Sequence, residues 1–61
     1  MARFELWVDD ELEDSDVDMA DFFKVNDLEP VIAGLILGLK PGQEYVDGGG
    51  AAPVWVLRRV K

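Results

Sequence analysis

The sequence predicts an α+β domain in the order β-(α)-α-β-β: a three-stranded, mostly antiparallel sheet, final strand central, covered by one main helix. Three observations predict it. Apolar residues alternate with others over residues 4–8. They recur at helical spacing over residues 28–39. Two β-rich runs flank a glycine-rich stretch near the end of the chain. At 61 residues the chain has room for one small domain, 1–61.

The elements follow in order. In Phe4-Glu5-Leu6-Trp7-Val8, residues Phe4, Leu6 and Val8 fall on one side and Glu5 and Trp7 on the other, as in a half-buried strand. Ser15 followed by Asp18 has the spacing of a capping pair ahead of Met19, Phe22 and Phe23. It predicts a short helix over about 16–24. Asn26 or Asp27 can cap a second helix, with Pro30 in its first turn, where a missing N–H is tolerated. This main helix runs to about Leu39, and Lys40-Pro41-Gly42 ends it. Its Leu28, Val31, Ile32, Leu35, Ile36 and Leu39 form a broad apolar face for the sheet. A strand at Gln43–Val46, a hairpin loop at Asp47–Pro53 and a strand at Val54–Val60 complete the chain. The last strand sets Val54, Val56 and Val60 against Trp55 and Leu57. It is apolar on both faces, which places it in the middle of the sheet.

The other side of the main helix presents Pro30, Ala33, Gly34 and Leu37, with no charge between Glu29 and Lys40. An outward apolar side calls for cover. Either Phe22, Phe23 and Val25 fold back over it, or it is a homodimer or partner interface. The four-residue spacing of Gly34 and Gly38 would let a second backbone approach.

Composition excludes several functions. There is no Cys and no His, so disulfides and Cys/His zinc sites are absent. Ser15 is the sole Ser and Tyr45 the sole Tyr, and there is no Thr. A Ser–His or Cys–His nucleophile cannot be built. Paired carboxylates exist, but acid–base work needs one of them buried, and so small a core has little room to enclose a substrate. The sequence therefore predicts no enzyme and no cofactor. The first residues carry no apolar stretch of the secretory type, and Pro30–Leu39, the longest uncharged apolar run, is half of the ~20 residues that span a bilayer. The expected location is the cytoplasm.

Charge is concentrated in one place. The chain is −7, and the segment from Asp9 to Asp21 holds Asp9, Asp10, Glu11, Glu13, Asp14, Asp16, Asp18 and Asp21 with no Lys or Arg. Subtracting that −8 from −7 leaves the rest of the chain at +1. The segment invites four readings. Asp14, Asp16 and Asp18 open like a Ca²⁺ loop, but Met19 and Val25 stand where Gly and Glu are needed, so no metal site is expected. Ser15 among acids suits an acidophilic kinase, yet the capping pair explains it without one. A charge run is commonly a solvated face, with Arg58, Arg59 and Lys61 lying alongside to offset part of the repulsion. The fourth reading is imitation of a polyanion. Eight charges span ~43 Å if extended or ~20 Å if helical, one per ~5 or ~2.5 Å, against one per ~1.7 Å of duplex axis or ~3.4 Å of one strand. As a helix, Asp10, Asp14 and Asp18 would line one side, ~6 Å apart. The Gly48-Gly49-Gly50 stretch is followed by Pro53 and a strand, which suits a hairpin connection better than a phosphate cradle.

These observations favour a small acidic protein-interaction module, an inhibitor that mimics nucleic-acid phosphates and blocks a basic nucleic-acid-binding surface of a larger protein. The eight acids are its expected binding residues. Direct contact with nucleic acid is not expected, because like charges repel, nor is contact with a membrane. In size and charge alone, the chain resembles small acidic proteins of phages and mobile elements that act against host defence or transcription machinery, in which case it would work in the host cytoplasm. An antitoxin-like binder of a basic toxin would use the same acids. The alternative is a structural or assembly protein that forms a homo-oligomer through Pro30, Ala33, Gly34 and Leu37, its acids serving solubility only.

Overall fold

Alternating apolar residues build a sheet before any helix covers it. In the computed structural model, which describes residues 2–49 and 52–61, strands β1 (Phe4–Val8), β2 (Glu11–Asp14), β3 (Glu44–Gly49) and β4 (Ala52–Arg59) form one antiparallel sheet in the order β2-β1-β4-β3. Helices α1 (Met19–Asn26) and α2 (Pro30–Leu37) are inserted between β2 and β3. Cross-strand pairs Phe4↔Arg59, Leu6↔Leu57 and Tyr45↔Leu57 fix which residues share a face. Phe4, Leu6, Tyr45, Trp55 and Leu57 point toward the helices, and Glu5, Trp7, Val46, Val56 and Arg58 point away.

The core lies between the sheet and the helices and is thin. Phe4, Ile36 and Leu57 are sealed from water. Around them pack half-buried side chains, among them Val17, Met19, Phe22, Phe23, Leu28, Ile32 and Leu39. Phe22 meets Trp55 edge-on at 5.3 Å between ring centres, and Tyr45 tilts against the same indole at 5.9 Å. Arg59 donates from Nη1 to the Leu39 carbonyl at 2.6 Å, tying the segment after α2 to β4. Gly48 is a glycine for want of space: a Cβ there would lie 2.7 Å from a methyl of Val54.

The α+β class, the interior position of the last strand and its two neighbours agree with the sequence reading. Five details differ, each for a physical reason. The sheet has four strands, because Asp9 and Asp10 adopt φ of 50° and 66° and turn the chain back in two residues, so Glu11–Asp14 pairs with β1. The first helix begins three residues later than expected, because Asp18 caps it by accepting from the Asp21 N–H at 3.2 Å, and Ser15 stays in the preceding bend. Asp27 does not start α2. It closes α1 at φ 49°, its N–H returning to the Phe23 carbonyl, and α2 starts at Pro30 after Glu29. The main helix stops at Leu37 rather than Leu39, since the Leu39 N–H turns to the Ile36 carbonyl three residues back, at 3.1 Å, and leaves the four-residue ladder. Its apolar face is narrower too: Val31 and Leu35 are exposed.

The last two strands lengthen at the expense of their loop. β3 reaches Gly49 and β4 begins at Ala52, so much of the Asp47–Pro53 loop is strand; Gly50 and Ala51 lie outside the described residues. Phe22 and Phe23 pack on the sheet and do not fold over the outer side of α2, and Val25 is exposed.

Two outcomes are expected of this packing. Leu57→Ala removes a third of the sealed core and lowers stability by about 2–5 kcal/mol, read as the urea midpoint by far-UV circular dichroism; a loss below about 1 kcal/mol contradicts the core described. Asp10→Gly relieves a positive φ in a two-residue turn and raises stability by about 0.5–1 kcal/mol by the same measurement.

Candidate functional site

The acidic segment folds as a rim. Its first two residues form the β1–β2 turn, the next four form β2, and the rest form a bend and the start of α1. β2 pairs with β1 alone, so it is an edge of the sheet. Asp9, Asp10, Glu11, Glu13, Asp14, Asp16, Asp18 and Asp21 are all exposed. Two of them also shape the backbone. Asp14 accepts from the Asp16 N–H at 2.9 Å, and Asp18 caps α1. Neither bond removes the charge from water.

The eight acids share one edge but not one side of it. Asp9 and Asp10 border a hollow of about 310 Å³ on the sheet face turned away from the helices, with Trp7, Val56, Glu44 and Arg58. Asp14, Asp18 and Asp21 border a smaller groove of about 170 Å³ between the sheet and α1, floored by Leu6, Val17 and Phe22. Leu12 interrupts the acids of β2 and pairs with Trp7 on the open face. The one-sided ridge of Asp10, Asp14 and Asp18 drawn for a helix is therefore not formed. Among the described residues no group of three or more carboxylates is placed to hold a metal ion.

The basic end of the chain comes near the acidic segment only in part: Arg58 borders the same hollow as Asp9 and Asp10. β4 is separated from β2 by β1. Arg58 sits between Glu5 and Glu44 on the open face, and Arg59 is committed to the Leu39 and Lys61 carbonyls. Of the expected oligomer interface, Pro30, Gly34 and Leu37 are exposed, and Ala33 is half-buried. A Cβ added at Gly34 would meet nothing within 4 Å, so the space beside that helix is open.

Sequence reasoning missed the open face as a surface. It carries Leu12, Trp7, Val46, Val54 and Val56. The signal was present in the double apolar alternation of the last strand, which places it in the middle of the sheet and also leaves apolar side chains on the side away from the helices. Helices pack on one side alone. Among the described residues no helix is long and apolar enough to cross a membrane. Comparison with protein-family models, curated proteins and solved structures returns no match.

Eight like charges on one edge repel one another, and salt shortens the reach of that repulsion from about 30 Å at 0.01 M to about 8 Å at 0.15 M. The urea midpoint is expected to rise over that range of NaCl, and to rise less in Glu13→Gln/Asp16→Asn. A flat or falling midpoint in the unaltered chain would mean that the rim carries no mutual strain.

Proposed function

We propose that this chain is a small acidic interaction module, an inhibitor that lays the β2 edge into the cationic groove with which a larger protein holds nucleic acid. One observation carries the reading: all eight carboxylates of a −8 segment are exposed, on the β1–β2 turn, the edge strand β2 and the bend and helix start that follow, in a domain that is otherwise near neutral. Glu11, Glu13 and Asp14 lie along about 10 Å of strand, one charge per ~5 Å, within a factor of two of the ~3.4 Å between charges along one nucleic-acid strand. A groove lined with Lys and Arg would attract such an edge over long range and gain the counterions it releases. An acidic edge also keeps sheets from pairing with each other, a task for which the three acids of β2 would suffice.

The test uses proteins that bind to immobilised duplex DNA. The chain, fixed to a support, should retain a member of that fraction, and free duplex DNA should displace it. The isosteric variant Glu11→Gln/Glu13→Gln/Asp14→Asn/Asp16→Asn keeps the Asp18 cap. It should retain about tenfold less or worse, with an unchanged circular dichroism spectrum. Retention that neither free DNA nor the variant diminishes rules the reading out.

A further inference from the structure

We infer that two copies of this chain pack face to face through the open side of the sheet, about a two-fold axis that runs parallel to the strands between β1 and β4. The pairs Leu12↔Trp7, Trp7↔Val56 and Val46↔Val56 set four apolar residues in a row across all four strands. The next row is charged, with Arg58 between Glu5 and Glu44. Leu12 is 46% exposed and Val46 55%. An apolar row this continuous is unusual on a free surface.

The pattern is its own complement. The proposed axis exchanges β1 with β4 and β2 with β3. Trp7 then faces Val56 of the partner subunit, and Leu12 faces Val46 of the partner subunit, large against small. In the neighbouring row Arg58 faces Glu5 of the partner subunit, and the same contact is repeated by symmetry. The Trp7 indole N–H is already bonded to Glu5 Oε1 at 3.2 Å, so covering the ring strands no donor. Aligned sheets pack this way in sandwiches.

Size also fits. Four strands about 4.8 Å apart and about five residues long give a patch of roughly 19 by 17 Å. With the relief of its side chains it buries roughly 500 Å² per copy and 1,000 Å² in all, where specific interfaces begin. The outer side of α2 lacks this complementarity: it is apolar but has no charge to set an orientation. The two-fold places the β2 edge of each copy over β3 of the other, so the acidic rims lie on opposite flanks. The inference stands or falls independently of the inhibitor reading.

Sedimentation equilibrium from about 1 µM to about 1 mM, in about 0.15 M NaCl, brackets the weak affinity that such a patch supports. The mass should rise from 6.8 kDa toward twice that value. Glu5→Arg and Arg58→Glu should each weaken pairing about tenfold or more, and an equal mixture of the two should restore it as a heterodimer, since Arg on each side then meets Glu. Glu5 and Arg58 are also neighbours within one chain, so Val46→Lys on the edge strand β3 serves as a second variant and should abolish pairing with an unchanged circular dichroism spectrum. A monomer at every concentration overturns the inference. So does a dimer that Leu37→Glu dissolves and Val46→Lys does not, or a mixture that fails to pair when both swapped chains are folded.

Discussion

The pairing of β1 with β4 holds this domain together. It sets Leu6 beside Leu57 and Phe4 beside Arg59, so that Phe4, Leu57 and the helical Ile36 close over one another and exclude water. No other trio in the described chain is sealed, and every further apolar contact is made at the margin of this one. A chain of 61 residues buries only about 60% of its unfolded surface. It can cover one face of a four-stranded sheet and no more. Both helices are spent on that face. The openness of the other is thus a consequence of length, and its apolar content comes from all four strands, Leu12, Trp7, Val56 and Val46.

How legible this was depends on the kind of signal. Alternation in Phe4–Val8 and in the last strand marked those elements, because a period of two is a local property of the chain. The interior place of the last strand followed from its two apolar sides. β2 was hidden. Glu-Leu-Glu-Asp has poor strand propensity, and the turn before it is made by two aspartates at positive φ where the familiar signal is Asn-Gly or Asp-Gly. It is a strand because β1 offers it an unpaired edge, a tertiary fact that composition does not carry. The caps were hidden in the same way. Ser15, Asp18, Asn26 and Asp27 are all competent, and the geometry of the connections selects Asp18 to open α1 and Asp27 to close it.

α2 shows a different limit. Val31-Ile32-Ala33-Gly34-Leu35-Ile36-Leu37 is apolar all round, so periodicity cannot choose the buried side. The choice falls to Ile36, which reaches Phe4 and Leu57, and it leaves Val31, Leu35 and Leu37 in solvent. For the acids, the sequence made the concentration of charge plain. It could not tell whether they would face one way. Leu12, turned to the open face opposite Trp7, shows that the strand spends alternate positions on different sides. The acidic surface is accordingly a rim around an edge, shared between the hollow at Asp9 and Asp10 and the groove at Asp14, Asp18 and Asp21.

The distribution of charge and the open face bear on each other. A chain of −7 resists meeting a copy of itself, and that resistance acts over about one Debye length, roughly 8 Å at physiological salt. Acids scattered over the sheet would lie within that distance across any face-to-face contact. Instead, Leu12, Trp7, Val56 and Val46 occupy the row that would be dry, while β2 carries its carboxylates at the border. A two-fold along the strands sends the two borders to opposite flanks, three strand spacings or roughly 14 Å apart across the sheet. At that distance the repulsion between the two β2 strands is weakened, and the apolar row and the Glu5–Arg58 pairs come into close contact, with Glu44, Asp9 and Asp10 at the margin. The same placement leaves Asp14, Asp18 and Asp21, on the helix side of the rim, clear of the self-contact, while Asp9 and Asp10 border the open face and belong to both surfaces.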